Sequence, residues 1–127
     1  FYSAALVPRA AGPALLVGGI DGKVLLAEGG ALKPVNGARD WGSDFAALRS
    51  GCGAGTQIVT SGSGEALADS LRAFELPALE VIPVSAPLAM EGTVIALWAA
   101  PDGKSLLAVV RGAQNRYEVD RVTALCN

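Results

Sequence analysis

A chain of 127 residues, 51% apolar and 17% charged, is long enough for one core and too apolar to stay disordered. Its net charge is −2 and its lysines and arginines are dispersed, which excludes the basic stripe of a nucleic-acid binder or polybasic membrane surface. No apolar run approaches the ~18–20 residues that span a bilayer as a helix, and the lack of histidine removes the commonest general base and metal ligand.

Sixteen glycines and seven prolines without a regular period call for many turns between short elements. The chain opens at Phe1 without a signal-type segment, as expected of a mature, processed or excised piece. The even cysteine count, with Cys126 next to the end, suits a Cys52–Cys126 disulfide in an exported, periplasmic or extracellular domain. The alternative is two buried free thiols.

Tyr2–Val7 reads as a short strand ended by Pro8, and Arg9–Pro13 as a break. Ala14–Ile20 and Lys23–Glu28 flank Asp21-Gly22, a strong hairpin signal. Gly29-Gly30 turns the chain into Ala31–Val35, where Pro34 allows only an edge strand, and Asn36–Trp41 is polar and turn-like. Asp44–Ser50 fits a strand or a short helix, and Thr56–Ser61 has the β-branched character of a strand. Glu65–Leu76 taken alone reads as a helix, with Leu67, Leu71, Phe74 and Glu75 at helical spacing and Ser63 available as a cap. Leu79–Val84 is extended, because Pro83 and Pro87 exclude a long helix. The last third, Gly92–Val122, gives strand, Pro-Asp-Gly turn, strand, a polar break at Ala113–Arg116, and a third strand. Trp98, inside an apolar strand, is expected in the core, and Arg111, Arg116 and Arg121 with Glu118 and Asp120 on a solvated face.

Strand starts near Tyr2, Asp44 and Thr93, near Ala14, Thr56 and Ser105, and near Lys23, Asp69 and Tyr117 recur at roughly 40–50 residues, the period of a propeller blade. The stretch LLVGGIDGKVLLAEG resembles the second-to-third-strand hairpin of a WD40- or quinoprotein-type β-propeller blade. VIALWAAPDGKSLLAVV is similar to the first-to-second-strand hairpin of such a blade. The resemblance implies an all-β protein of antiparallel blades, about three of them at 1–40, 41–91 and 92–127, forming half of a ring. Rings close with about 4–8 blades. A three-blade arc therefore needs a partner, either a second copy or a separate chain carrying the other half.

The competing fold keeps 65–76 helical, with Asp44–Ser50 as a second helix, and yields a small α/β domain. In that fold Gly62, Ser63 and Gly64 sit where a phosphate-cradling loop would lie, although Leu67 stands where the dinucleotide fingerprint wants a glycine and no P-loop lysine follows. A polar loop is the plainer reading. Cys52 among small residues in Ser50–Gly55 has the look of a nucleophile turn but lacks a histidine base. Asp40, Trp41 and Asp44 are the one close carboxylate pair beside an aromatic, a candidate for Ca²⁺ or a sugar without the dense oxygen spacing of a calcium loop. No catalytic, cofactor or metal residue is assigned. The expected role is that of a non-catalytic exported domain for protein interaction, working through its terminal blade faces and exposed edge strands. The alternative is a small ligand-binding or enzyme domain using the Gly62–Gly64 loop.

Overall fold

The computed structural model describes residues 3–9, 12–18, 23–38, 41–63 and 69–126. The chain is all-β. Three antiparallel sheets follow one another along the sequence, and none closes into a barrel. The first holds β1 (Ser3–Val7), β2 (Ala14–Gly18), β3 (Val24–Glu28) and β4 (Ala31–Pro34), paired in chain order. The second holds β5 (Trp41–Leu48), β6 (Gln57–Ser63) and β7 (Asp69–Glu75), with β8 (Ile82–Pro83) and β9 (Leu88–Ala89) lying end to end along β7. The third holds β10 (Thr93–Ala99), β11 (Ser105–Arg111) and β12 (Tyr117–Thr123).

The described turns of the third sheet are built from residues that tolerate tight backbone. In the Pro101–Gly103 turn the Asp102 carboxylate accepts the backbone N–H groups of Lys104 (2.9 Å) and Ser105 (3.1 Å), an Asx arrangement that reverses the chain into β11. Between β11 and β12 the reversal runs through a 3-10 turn, Ala113–Asn115, with Gln114 and Asn115 both at positive φ. Gly92, ahead of β10, admits no side chain: a Cβ there would lie 2.2 Å from the Arg111 carbonyl oxygen.

The sheets stack face to face, with the second in the middle. Successive residues of a strand point to opposite faces, and in the second sheet both faces are apolar. Phe45, Ile58 and Phe74 meet Val7, Leu16 and Leu26 of the first sheet. Ala46, Val59 and Leu71 meet Val94, Leu97, Leu106 and Ala108 of the third. The first strand of each sheet lies at a shared junction, where β5 packs against β1 on one side and β10 on the other. Further out, Asn36 ties the first two sheets together: its N–H donates to Leu79 O (2.7 Å) and its carbonyl accepts from Val81 N (3.0 Å).

Two alternatives are excluded and one expectation is corrected. Residues 69–75 are the strand β7, paired with β6 on one edge and β8 and β9 on the other, and not part of a helix over 65–76; residues 64–68 lie outside the described ones. Leu71 and Ala73 face the third sheet while Phe74 faces the first, so pairing and two-sided burial override helical propensity. Of the two readings of Asp44–Ser50, strand and short helix, the strand is the one present, since β5 runs through Leu48. The βαβ reading loses both helices. Trp98 is not in the core: it is 56% exposed on the face of the third sheet turned away from the second. Its neighbours Leu97 and Ala108 fill the inner face instead.

Candidate functional site

The strand junction is organised by one carboxylate. Asp44 lies in β5 where the pairing with β6 shifts between Trp41 and Phe45, and this irregularity turns its side chain along the junction. Asp44 Oδ1 accepts the Ser3 hydroxyl from β1 (2.6 Å) and the N–H of Phe45 (2.9 Å). Oδ2 accepts the N–H of Leu97 from β10 (2.8 Å), and the Thr60 hydroxyl donates to the Asp44 carbonyl (3.0 Å). One residue thus joins all three sheets. Asp69 makes a second polar tie between the second and third, with Oδ2 accepting from Val94 N (2.8 Å) and its own N–H donating to Gly92 O (2.9 Å).

Asp40, Trp41 and Asp44 do not assemble a ligand site among the described residues. Asp40 lies outside them. The Trp41 ring is packed against Phe45 (centroids 5.9 Å apart) and Phe74 (5.1 Å), and both Asp44 oxygens are engaged as above. Trp41, expected at the end of a turn-like segment, belongs with Asp44 to β5. Gly62 and Ser63 pair with Ser70 and Asp69 as the end of β6, so no loop precedes a helix there; Gly64 and the Asp21-Gly22 turn lie outside the described residues.

Cys52 and Cys126 form a disulfide, with Cα atoms 5.3 Å apart across a separation of 74 residues. The Cys52 turn is itself firmly held. Gly55 N donates to Cys52 O (2.7 Å), the buried Gln57 side chain donates to the same carbonyl (2.7 Å), and the Ser50 hydroxyl donates to Gln57 Oε1. These contacts make the turn a structural anchor that fastens the chain end after β12 to the second sheet. Beside the disulfide lies a cavity of about 410 Å³ lined by Leu48, Val59, Leu71, Leu88, Leu106 and Val122 among others. Among the described residues no three His, Cys, Asp or Glu side chains converge as a metal site, and no helix is long and apolar enough to cross a membrane.

The largest feature left uncommitted is the pair of end faces. Opposite to the inward-facing Leu16 and Leu26, the first sheet turns out Ala4, Leu6, Leu15, Leu25, Ala27, Leu32 and Pro34 around Val17, which is itself buried. Two cross-strand rows result, Leu6–Leu15–Ala27–Leu32 and Ala4–Val17–Leu25–Pro34, without one polar side chain. Leu6 is 61% exposed. The third sheet turns out Ala96, Val109 and Val119 in one row and Trp98, Leu107 and Arg121 in the next, with Tyr117 beside Arg111. Val119 is 65% exposed.

Sequence reasoning named these faces as a class without naming the residues. The signal lay in the runs ALLVG, VLLAE and SLLAVV, which are apolar at consecutive positions and so belong to strands meant for cover on both sides. The tie through Asp44 was missed, because a lone acid beside glycine and serine has the composition of a loop.

Comparison with known proteins adds no relationship: no family model, no characterised protein and no solved structure matches this chain.

Proposed function

We propose that this chain is an arc of β-propeller-like blades, a non-catalytic structural or protein-interaction module of an exported protein, completed by further blades on its two apolar end faces. The observation that carries the reading is the outer face of the first sheet, where apolar residues surround a buried Val17 and no charge is present, together with the largely apolar Trp98–Val119 face at the other end, which also carries Arg121. Monomers rarely leave contiguous apolar patches of this extent facing water. The placement of β1, β5 and β10 together, with later strands stepping outward, supports a ring whose inner wall is made by the first strand of each sheet. The disulfide supports an oxidising compartment.

The missing blades come from a second copy or from another polypeptide. Two copies stacked so that the first sheet of one meets the third sheet of the other contribute six sheets, within the ~4–8 that close known propellers. Native mass spectrometry of the purified chain, alone and with Leu15→Glu or Trp98→Glu, tests the reading. A dimer or a defined complex that either substitution dissociates supports it. A monomer whose sedimentation and surface-dye binding match those of a compact globular protein, unchanged by either substitution, overturns it.

A further inference from the structure

The three sheets differ at their outer edges. The first ends in β4, four residues long and closed by Pro34. The second ends in β8 and β9, two short pieces broken around Ser85 and carrying Pro83 and, between them, Pro87. Both edges are blunted by devices that stop another strand from adding. The third ends in β12, seven residues without proline or bulge, in continuous register with β11 from Tyr117↔Arg111 to Thr123↔Ser105. Among the described residues nothing pairs with its other side. The sheet has three strands where its neighbours carry a further strand outside the third.

We infer that β12 is the acceptor for a fourth, antiparallel strand supplied from outside the described residues, and that the donor carries basic side chains on one face and apolar ones on the other. The charge pattern of β12 selects this occupant. Glu118 and Asp120 point to one side of the sheet, while Tyr117, Val119 and Arg121 point to the other. Directly opposed side chains on a sheet interact, attractively for unlike charges and repulsively for like ones. A second copy of β12 is a poor donor. Centred on Asp120 it sets Asp120 against Asp120, and centred on Val119 it sets Glu118 against Asp120 twice. A donor with lysine or arginine opposite Glu118 and Asp120, an acid opposite Arg121, and apolar residues opposite Val119 and Tyr117 satisfies every position. Main-chain bonds from every second residue of β12, the ones whose N–H and C=O are directed away from β11, supply the attraction, and the alternating side chains supply the choice. The inference goes beyond ring closure and does not depend on it, because the edge is taken up through the main chain of β12, whereas ring closure covers the side chains of the end faces, Val119 and Tyr117 among them.

The probe is a synthetic peptide, Thr-Val-Glu-Lys-Val-Lys-Val, written to run antiparallel to β12 from Thr123 to Tyr117. Two controls accompany it: the peptide with Glu and Lys exchanged, and the original peptide N-methylated at alternate residues to remove its backbone donors. Amide hydrogen exchange of the intact chain is followed at millimolar peptide. The expected result is that exchange slows about tenfold at the β12 amides directed away from β11, with β2 and β6 unchanged and neither control acting. No slowing by the matched peptide overturns the inference. Equal slowing by the charge-exchanged or the N-methylated peptide overturns it as well. Since native mass reads the end faces and exchange at β12 reads the edge, failure of one is distinguishable from failure of the other.

Discussion

Replacing Asp44 by alanine removes the acceptor that holds three sheets at one point. The lost contacts are those from the Ser3 hydroxyl, the Phe45 N–H and the Leu97 N–H. A hydrogen bond to a charged group contributes about 1.5–3 kcal/mol, and a half-buried donor left without its partner recovers part of this from water. For the three together the expected loss is about 3 kcal/mol, a large fraction of the ~5–15 kcal/mol available to a domain. For a chain of this length that corresponds to a fall in Tm of about 10 °C. Ser3→Ala removes one contact and leaves the two backbone ones, so its expected cost is about 1 kcal/mol. Asp44→Asn keeps one oxygen but sets an NH₂ group against one of the donors, and falls between the two.

The assay is thermal and denaturant unfolding of the three variants, joined to amide exchange at Leu97. In Asp44→Ala the Leu97 amide, 53 residues away in sequence, should exchange at least about tenfold faster. In Ser3→Ala it should not change. If Asp44→Ala lowers Tm no more than Ser3→Ala and leaves Leu97 protected, the carboxylate does not hold the junction and the reasoning fails.

Other outcomes follow from the same structure. Cys126→Ser opens a loop spanning 74 residues, and the chain-entropy relation sets the expected loss at about 4.5 kcal/mol as an upper value, read from denaturant midpoints against the oxidised protein. The Asp102 carboxyl is held below the usual carboxylate value, first by the Lys104 N–H and then by Ser105 and Arg121, against an opposing desolvation. A depressed carboxylate stabilises the fold above its unfolded value and loses that contribution as pH falls through the folded one. Asp102→Asn should therefore flatten the decline of stability below about pH 4 and make little difference to its slope above, as unfolding from pH 2 to 6 will show. Gln114 sits at φ 60, so Gln114→Gly should raise stability by about 0.5–1 kcal/mol in the same unfolding assay. Leu15 faces out and Leu16 is fully buried: Leu15→Glu should leave circular dichroism native, whereas Leu16→Glu buries an unpaired charge and should abolish folding.

Much of the strand pattern was legible because hairpins are local. The strands on either side of Asp21-Gly22 pair antiparallel, Leu15 to Ala27 through Gly18 to Val24. In the last third, the Pro-Asp-Gly turn closes with Gly103 N donating to Ala100 O (2.9 Å). The stretch around 69–75 misread as helix because Leu71 and Phe74 also fit a period of 3.6. Only pairing partners in β6, β8 and β9 reveal that one side faces each neighbouring sheet. Trp98 misread as core for a related reason. In TVIALWA both faces are apolar, so nothing in the local sequence says which one meets the second sheet. Asp44 was least legible of all, since its partners Ser3 and Leu97 lie 41 and 53 residues away.

These cases share a physical cause. Apolar contact between sheets is non-directional, so Leu16 against Phe45, or Val59 against Leu106, favours stacking without fixing how one sheet sits over the next. Directional bonds settle that geometry, and at the centre of this molecule they come from Asp44 and Asp69, reaching Ser3, Leu97 and Val94. The interior interfaces thus have both ingredients, apolar area for strength and a carboxylate tie for orientation. The outer faces of the first and third sheets have the apolar area but, among the described residues, no such tie. On this argument a partner that only covers those faces would be held loosely. One that also supplies a strand along β12, where every second residue offers directional bonds away from β11, would be held in a single orientation.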